Sequence, residues 1–321
     1  MRIVITGALG HIGSRMIREL PAAFPRAEIV MLDDFSAQRY CSLFNLPVEG
    51  NYSFVEADVL TANLEAIFGA ADVVVHLAAI TNAAGSFENK EQVERVNLLG
   101  TGKVAQACLN VGAALIFPST TSVYGTQAEI VDEDCSVADL KPQSPYADSK
   151  LRAEQLLAEL GSTRGLRFSI CRLGTIFGPS IGMRFHTAVN KFCWQAVMGQ
   201  PLTIWRTALH QQRPYLDVSD AVEAIKFIIE RELYDCRIYN VVTANTSVNR
   251  IVELITSDLP DVTIEYVDTQ IMNQLSYHVL SDRFRGLGFE FTGSLDRGIH
   301  ETINLLRQAN DRLTVSKAGS V

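Results

Sequence analysis

The chain has 321 residues, 47% of them hydrophobic and 20% charged, with a formal net charge of −8. This provides for a sizeable core in one large domain or two lobes, and the acidic balance argues against nucleic acid and anionic membrane as partners. No apolar run approaches the roughly 18 residues of a membrane helix, and Met1 runs straight into a strand-like segment instead of a leader, so a soluble, cytoplasmic protein is expected.

Short β-branched runs appear at Arg2–Thr6, Glu28–Leu32, Ser53–Glu56, Asp72–Leu77, Ala114–Phe117 and Phe168–Cys171. Stretches of helical period separate several of them, notably Ile12–Leu20, Glu91–Val111 and Tyr146–Leu160. Runs such as VVVHLA are apolar throughout, as in a parallel sheet covered on both faces. The alternation predicts an α/β fold with a doubly wound parallel sheet, whose ligands sit at the carboxyl ends of its strands. Beyond about Thr175 the rhythm loosens, and a smaller mixed α/β lobe is expected over 176–321. The stretch YLDVSDAVEAIKFIIE reads as a strand end, a capped turn and a helix, so the chain is expected to return to the first lobe around 213–243. The polar end, TVSKAGSV, is expected to fray. The six cysteines (Cys41, Cys108, Cys135, Cys171, Cys193, Cys236) show no CxxC or Cys/His spacing. They read as buried free thiols, with no metal site.

The segment ITGALGHIG places Gly7, Gly10 and Gly13 between the first strand and an amphipathic helix. Glycines there would allow a sharp turn, close approach of a pyrophosphate and tight packing of helix on sheet, while the helix amino terminus offers free N–H groups. Many tight turns, however, use glycine for positive φ alone. The discriminating residue is an acid at the end of the second strand, and Asp33 stands there. Its carboxylate would accept from a ribose 2′-hydroxyl and repel a 2′-phosphate, which favours NAD over NADP, although Arg39 is close in sequence; the competing reading is a solvated strand-end acid. Further along, Tyr146 and Lys150 stand four apart at the start of a helix and share a face. A cation beside the phenol, with a positive nicotinamide ring, would lower its pKa from about 10 towards neutrality. Phe117–Gly125 adds several hydroxyls at the end of the fifth strand, which also suit a Ser/Thr turn.

In this order, GALGHIG, Asp33, VVHLAA, Asn97, STTSVYG and SPYADSK resemble the extended short-chain dehydrogenase/reductases, and most closely their nucleotide-sugar epimerase/dehydratase branch of UDP-glucose 4-epimerase type. The resemblance continues through RLGTIFGP, RPYLDVSDAVEAI and YNVVTANTSV. It implies a Rossmann-like NAD domain over 1–175 and a substrate lobe mainly over 176–321. It also implies Tyr146 as base, Lys150 as its partner and a holder of the nicotinamide ribose, and Thr120 as the hydroxyl on the substrate oxygen. The cofactor contacts implied are Gly7, Gly10, His11, Ile12, Gly13, Asp33, Asp34, Ser36, Asp58, Val59, Leu77, Ala78, Ala79 and Asn97. Thr120 and Arg213 are implied for the substrate, a nucleoside-diphosphate sugar; Thr81 and Thr175, at positions that depart from the family pattern, and Arg184 and Asn190, in a second-lobe basic set, are the further substrate candidates. Relatives of this kind dimerise through two helices, here Val93–Val111 and Leu151–Leu160, so a homodimer is expected.

The reaction expected is C4 epimerisation through a transient 4-keto sugar with hydride return. The 4,6-dehydratases carry Asp-Glu after the hydroxyl residue, and this chain has Thr121 and Ser122. A net oxidoreductase and a non-catalytic dinucleotide-binding protein are the other hypotheses. Thr175 replaces the usual Asn before the GP turn, Thr81 replaces a common lysine, and Ile271–Ser276 lacks the usual nucleotide-binding arginine. Gly182–Lys191, with Arg184, His186 and Asn190, reads either as a compensating basic set or as a solvated helix face. Trp205-Arg206 reads as a stacking pair or as packing.

Overall fold

The computed structural model describes residues 1–125, 128–268 and 276–317. The first half runs β1 (Arg2–Thr6), α1 (His11–Ala23), β2 (Glu28–Asp33), β3 (Asn51–Glu56), α2 (Leu64–Phe68), β4 (Val73–His76), α3 (Lys90–Glu94), α4 (Gly100–Val111) and β5 (Ala114–Thr120). Then come β6 (Ile130–Val131), α5 (Pro145–Arg164), β7 (Phe168–Leu173), β8 (Thr175–Phe177), α6 (Ala188–Val197), β9 (Leu202–Trp205), β10 (Gln212–Asp217) and α7 (Val218–Glu230). The chain closes with β11 (Ile238–Val241), β12 (Ala244–Ser247), α8 (Val248–Asp258), β13 (Ile264–Val267), β14 (His278–Val279), α9 (Asp282–Gly286) and α10 (Leu295–Lys317).

Seven strands form one parallel sheet in the order β11-β7-β5-β4-β1-β2-β3. From β1 the chain builds outward through β2 and β3, then crosses back to place β4 on the other side of β1. That reversal opens a crevice above the carboxyl ends of β1 and β4. Alternate residues of each strand supply opposite faces: Ile3 and Ile5 join the α1 and α7 side chains, whereas Val4 joins those of α4 and α5. Burying each such aliphatic side chain contributes roughly 1.5–3 kcal/mol. This is why continuous apolar runs such as VVV in β4 tolerate no polar face.

The helical stretch 90–111 is not uniform, because a π-turn at Arg95–Leu99 separates α3 from α4. A separate core of Val189, Phe192, Tyr215, Ile251, Ile255 and Ile303 holds the second lobe, built on a three-stranded β12-β10-β8 sheet. Asp217 caps α7 through the Ser219 amide at 2.9 Å, α7 packs on α1, and β11 pairs with β7 in the seven-stranded sheet. Two expectations are corrected. Cys41 and Cys236 are exposed, unlike the buried Cys108, Cys171 and Cys193, although all six thiols are free. The final helix also continues through Lys317, into the segment expected to fray. Among the described residues, no helix is long and apolar enough to cross a membrane.

One ion pair lies inside this frame. Arg172 on β7 donates from Nε and Nη2 to Glu154 on α5, at 3.1 and 2.7 Å, and both are almost wholly buried. Ser119 donates to the same carboxylate, and the Tyr124 ring lies 4.8 Å from the guanidinium. Removing one partner strands a buried charge. Glu154→Gln is therefore expected to lower the unfolding free energy by about 3–5 kcal/mol in urea denaturation, and the apolar double variant Glu154→Leu/Arg172→Met to recover most of it.

Candidate active site

The crevice begins where β1 ends. Gly7 has φ +68°, and a Cβ there would lie 2.6 Å from the Ala78 amide nitrogen, so only glycine lets the turn pass the end of β4. A Cβ on Gly13 would meet the Ala8 carbonyl at 2.5 Å, which presses α1 against the turn. Gly10 caps α1 without a side chain, leaving the amides of the first helical turn for a ligand. Asp33 ends β2 and accepts from the Leu9 and Phe35 amides, both at 3.1 Å, so it braces the turn as well as facing the crevice. Burial raises its pKa, and those two amide bonds work in the opposite direction.

These residues line a cleft of about 360 Å³. Its lining includes Gly7, Gly10, His11, Ile12 and Gly13 from the turn, and Asp33, Asp34 and Ser36 beyond β2. Asp58 and Val59 border it after β3, and Leu77, Ala78, Ala79 and Thr81 form its edge after β4. Asn97 does not line it. The side chain is buried, accepting from the Ile80 amide at 2.8 Å and donating to the Ile80 carbonyl at 2.9 Å and to Ser149 at 3.1 Å. It clamps the loop that forms the cleft.

A buried network below this loop escaped the sequence analysis. Thr101 spends its only hydroxyl proton on the Asn97 carbonyl at 2.6 Å, so His76 Nε2–H must donate to Thr101, at 3.1 Å. The bare Nδ1 then accepts from the Thr6 hydroxyl at 2.7 Å, and Thr6 accepts from the Ala78 amide at 3.3 Å. Burial, aided by the charge of Lys150, lowers the His76 pKa to about 3 and keeps the ring neutral. The one signal was a histidine inside an otherwise apolar strand.

A second cavity, of about 370 Å³, adjoins the first and shares Ile12, Leu77, Ala79, Thr81, Ile176 and Arg184 with it. Thr120 reaches it as the last residue of β5, and its hydroxyl bonds the Tyr146 phenol. Ser144 caps α5 through the Ala147 amide at 3.1 Å, with Pro145 in the first turn, which sets Tyr146 and Lys150 one turn apart facing the cavity. Lys150 donates to the Pro118 carbonyl at 2.8 Å and lies 4.5 Å from the Phe117 ring centre. Burial lowers its pKa to about 7, with Glu154 acting the other way. Of the neighbouring hydroxyls, Ser119 and Ser122 line the cavity, while Thr121 donates to the Leu173 carbonyl at 3.3 Å.

The electrostatics of the phenol differ from expectation. Burial raises the Tyr146 pKa, and the influences that lower it are the charge of Arg184 and the Thr120 hydrogen bond. A cation from the second lobe thus joins Lys150 in this cavity. Arg184 lines both cavities and donates to Thr81. Thr175 and Arg213 line the second cavity, with His186, Lys191 and Trp205. Asn190 does not; it is fully buried, accepting from the Gly178 amide at 3.2 Å and donating to the Arg184 carbonyl at 3.1 Å, and so holds the Arg184 segment. Arg206 pairs with Asp268 at 3.4 Å. Residues 271–275, where the usual arginine is missing, lie outside the described residues.

The model of the NAD dependent epimerase/dehydratase family matches residues 3–241. The chain belongs to that family. The family is NAD dependent, and the fold is Rossmann-like. The cleft fits NAD: two of its glycines leave no room for a Cβ, the amino terminus of α1 has no side-chain cap, and an acid closes β2. Over 323 residues, 94% of this chain, it is 31% identical to an Arabidopsis thaliana trifunctional UDP-glucose 4,6-dehydratase/UDP-4-keto-6-deoxy-D-glucose 3,5-epimerase/UDP-4-keto-L-rhamnose-reductase. The match spans only 46% of that protein's length. An uncharacterized UDP-glucose epimerase of Bacillus subtilis is 31% identical over 236 residues, 71% of this chain and 72% of that protein. The fold matches the UDP-glucuronic acid 4-epimerase of Bacillus cereus, solved with UDP-glucuronic acid and NAD, at a TM-score of 0.88 and 24% identity, covering 96% of this chain and all of that one.

Two buried histidines make a stability prediction. His11 donates from Nε2 to the Gly178 carbonyl at 2.8 Å, and burial, reinforced by Arg184, lowers its pKa to about 3, as for His76. Unfolded, each takes a proton below about pH 6.5; folded, neither does until about 3. Their contribution is therefore full above pH 6.5 and declines as pH falls, by about 1.4 kcal/mol per unit for each. Urea denaturation at stepped pH is expected to show this slope, and His76→Asn to reduce it.

Proposed function

We propose that the protein is an NAD-dependent epimerase that inverts C4 of a nucleoside-diphosphate sugar through a 4-keto intermediate. One observation carries the choice of reaction. Among the described residues lining the second cavity there is no aspartate or glutamate. Elimination across C5 and C6 needs an extra group to take the C5 proton and protonate the leaving hydroxide; carboxyl groups are suited to that work. A C4 epimerase needs one base, one hydroxyl and a cation. The lining also supplies Lys191 and Arg213, which suit a diphosphate.

In this reading Tyr146 takes the proton of the sugar C4 hydroxyl while Thr120 holds the same oxygen. Lys150, anchored on the Pro118 carbonyl, stabilises the phenolate and holds the nicotinamide ribose. Bound NAD supplies the hydride acceptor in the first half-reaction and the donor in the second. The flat keto sugar turns over within the cavity, and Tyr146 returns the proton to the new alcohol. Asp33 holds the adenosine ribose and the glycine turn the pyrophosphate, over a cofactor unit of 1–175 with 213–243; the rest of 176–321 shapes the substrate cavity. We also propose a cytoplasmic homodimer formed through α4 and α5, beside which Leu99 is 57% exposed.

UDP- and dTDP-linked glucose, galactose and glucuronic acid should be incubated with the protein and followed by NMR, mass and NADH absorbance. A C4 epimer at unchanged mass, without net NADH, is expected. A product lighter by one water points to a dehydratase, and stoichiometric NADH to a net oxidoreductase. Tyr146→Phe is expected to lower turnover by about a hundredfold or more.

A further inference from the structure

The second lobe sends one segment across the glycine turn. His11 Nε2–H donates to the Gly178 carbonyl, Ser180 Oγ to the His11 carbonyl and the Gly182 amide to Ser14 Oγ, each at 2.8 Å. A Cβ on Gly182 would lie 2.2 Å from the Leu9 carbonyl oxygen, so the two backbones touch. Asn190 grips both ends of the segment, at Gly178 and at Arg184. Arg184 is thus delivered to the junction of the two cavities, where it donates to Thr81 and has no carboxylate within ion-pair distance among the described residues. Its Nε is buried without a partner. A guanidinium held at a junction without an anion awaits one.

We propose that Arg184 is a second cationic partner of Tyr146, a positioning residue that reaches the phenol from the second lobe and holds its ionised form. The proposal rests on Tyr146 being the base. Among the described residues, every other ionisable side chain lining this cavity is basic or phenolic: His76 at the end of β4, Lys150 on α5, His186 and Lys191 around α6, and Arg213 and Tyr215 on β10. His76 is neutral, and burial lowers His186 to about 4. Lys150 titrates close to neutrality, so its charge fades with rising pH, as the phenolate is forming. A guanidinium keeps its charge throughout. The base is therefore tuned only when the second-lobe segment is seated on the glycine turn, which links cofactor cleft, substrate lobe and proton transfer.

The test titrates Tyr146 directly, with carbon-13-labelled tyrosine in the NAD-saturated protein and the resonance assigned by Tyr146→Phe. Arg184→Gln keeps a donor for Thr81 and removes the charge. It is expected to raise the Tyr146 pKa by about one unit and to cut turnover at neutral pH about tenfold, with the rate recovering at higher pH. Arg184→Lys is expected to restore most of both. Should Arg184→Gln not fold, as judged by its thermal midpoint, Arg184→Met replaces it. A Tyr146 pKa that stays unmoved without the charge, or a rate loss that higher pH does not recover, overturns the proposal. If Tyr146→Phe itself turns over normally, the epimerase reading fails instead.

Discussion

The backbone after β1 touches the backbone after β4 at Gly7, and the rest of the site is arranged around that contact. With any side chain at Gly7 the turn would be driven into Leu77 and Ala78, and the crevice at the reversal of strand order would not close to the width of a dinucleotide. Around it the polar groups are committed in layers. Asp33 braces the turn from β2, Thr6 and His76 tie the ends of β1 and β4, and Asn97 clamps Ile80. Each layer removes freedom from a loop, which is how a binding loop is held ready without ligand.

Charge is partitioned as sharply as packing. The chain carries a net −8, yet no acid lines the second cavity among the described residues. Behind it, Glu154 is spent on Arg172 and Ser119. An acidic protein thereby offers a local basic interior, which suits a diphosphate ligand and a phenolate without attracting polyanions to its outer surface.

Much of the first lobe was legible because parallel strands buried on both faces must be apolar throughout, and because helix starts carry capping signals. Arg2–Thr6, Tyr146–Lys150 and the hydroxyls after β5 all lie within elements readable from a short window. Asn97 and Asn190 share one ambiguity. A buried amide holding a backbone segment and an amide facing a ligand look identical in sequence, and only the identity of the hydrogen-bond partners separates them. His76 was passed over because its partners, Thr6 and Thr101, are 70 and 25 residues away.

The sequence by itself determined the doubly wound sheet, the glycine turn with Asp33, the Thr120, Tyr146 and Lys150 set, and the absence of an Asp-Glu pair after Thr120. These are local patterns, and local sterics and hydrogen bonding suffice to specify them. Only the tertiary structure brought a second cation to the cavity of Tyr146. Arg184 lies 38 residues beyond Tyr146 and comes from another lobe. It reaches the phenol's cavity because Gly182 lets the second-lobe segment lie backbone to backbone on the turn that begins at Gly7. Electrostatic influence depends on distance and burial in the folded chain, and neither is a property of sequence separation.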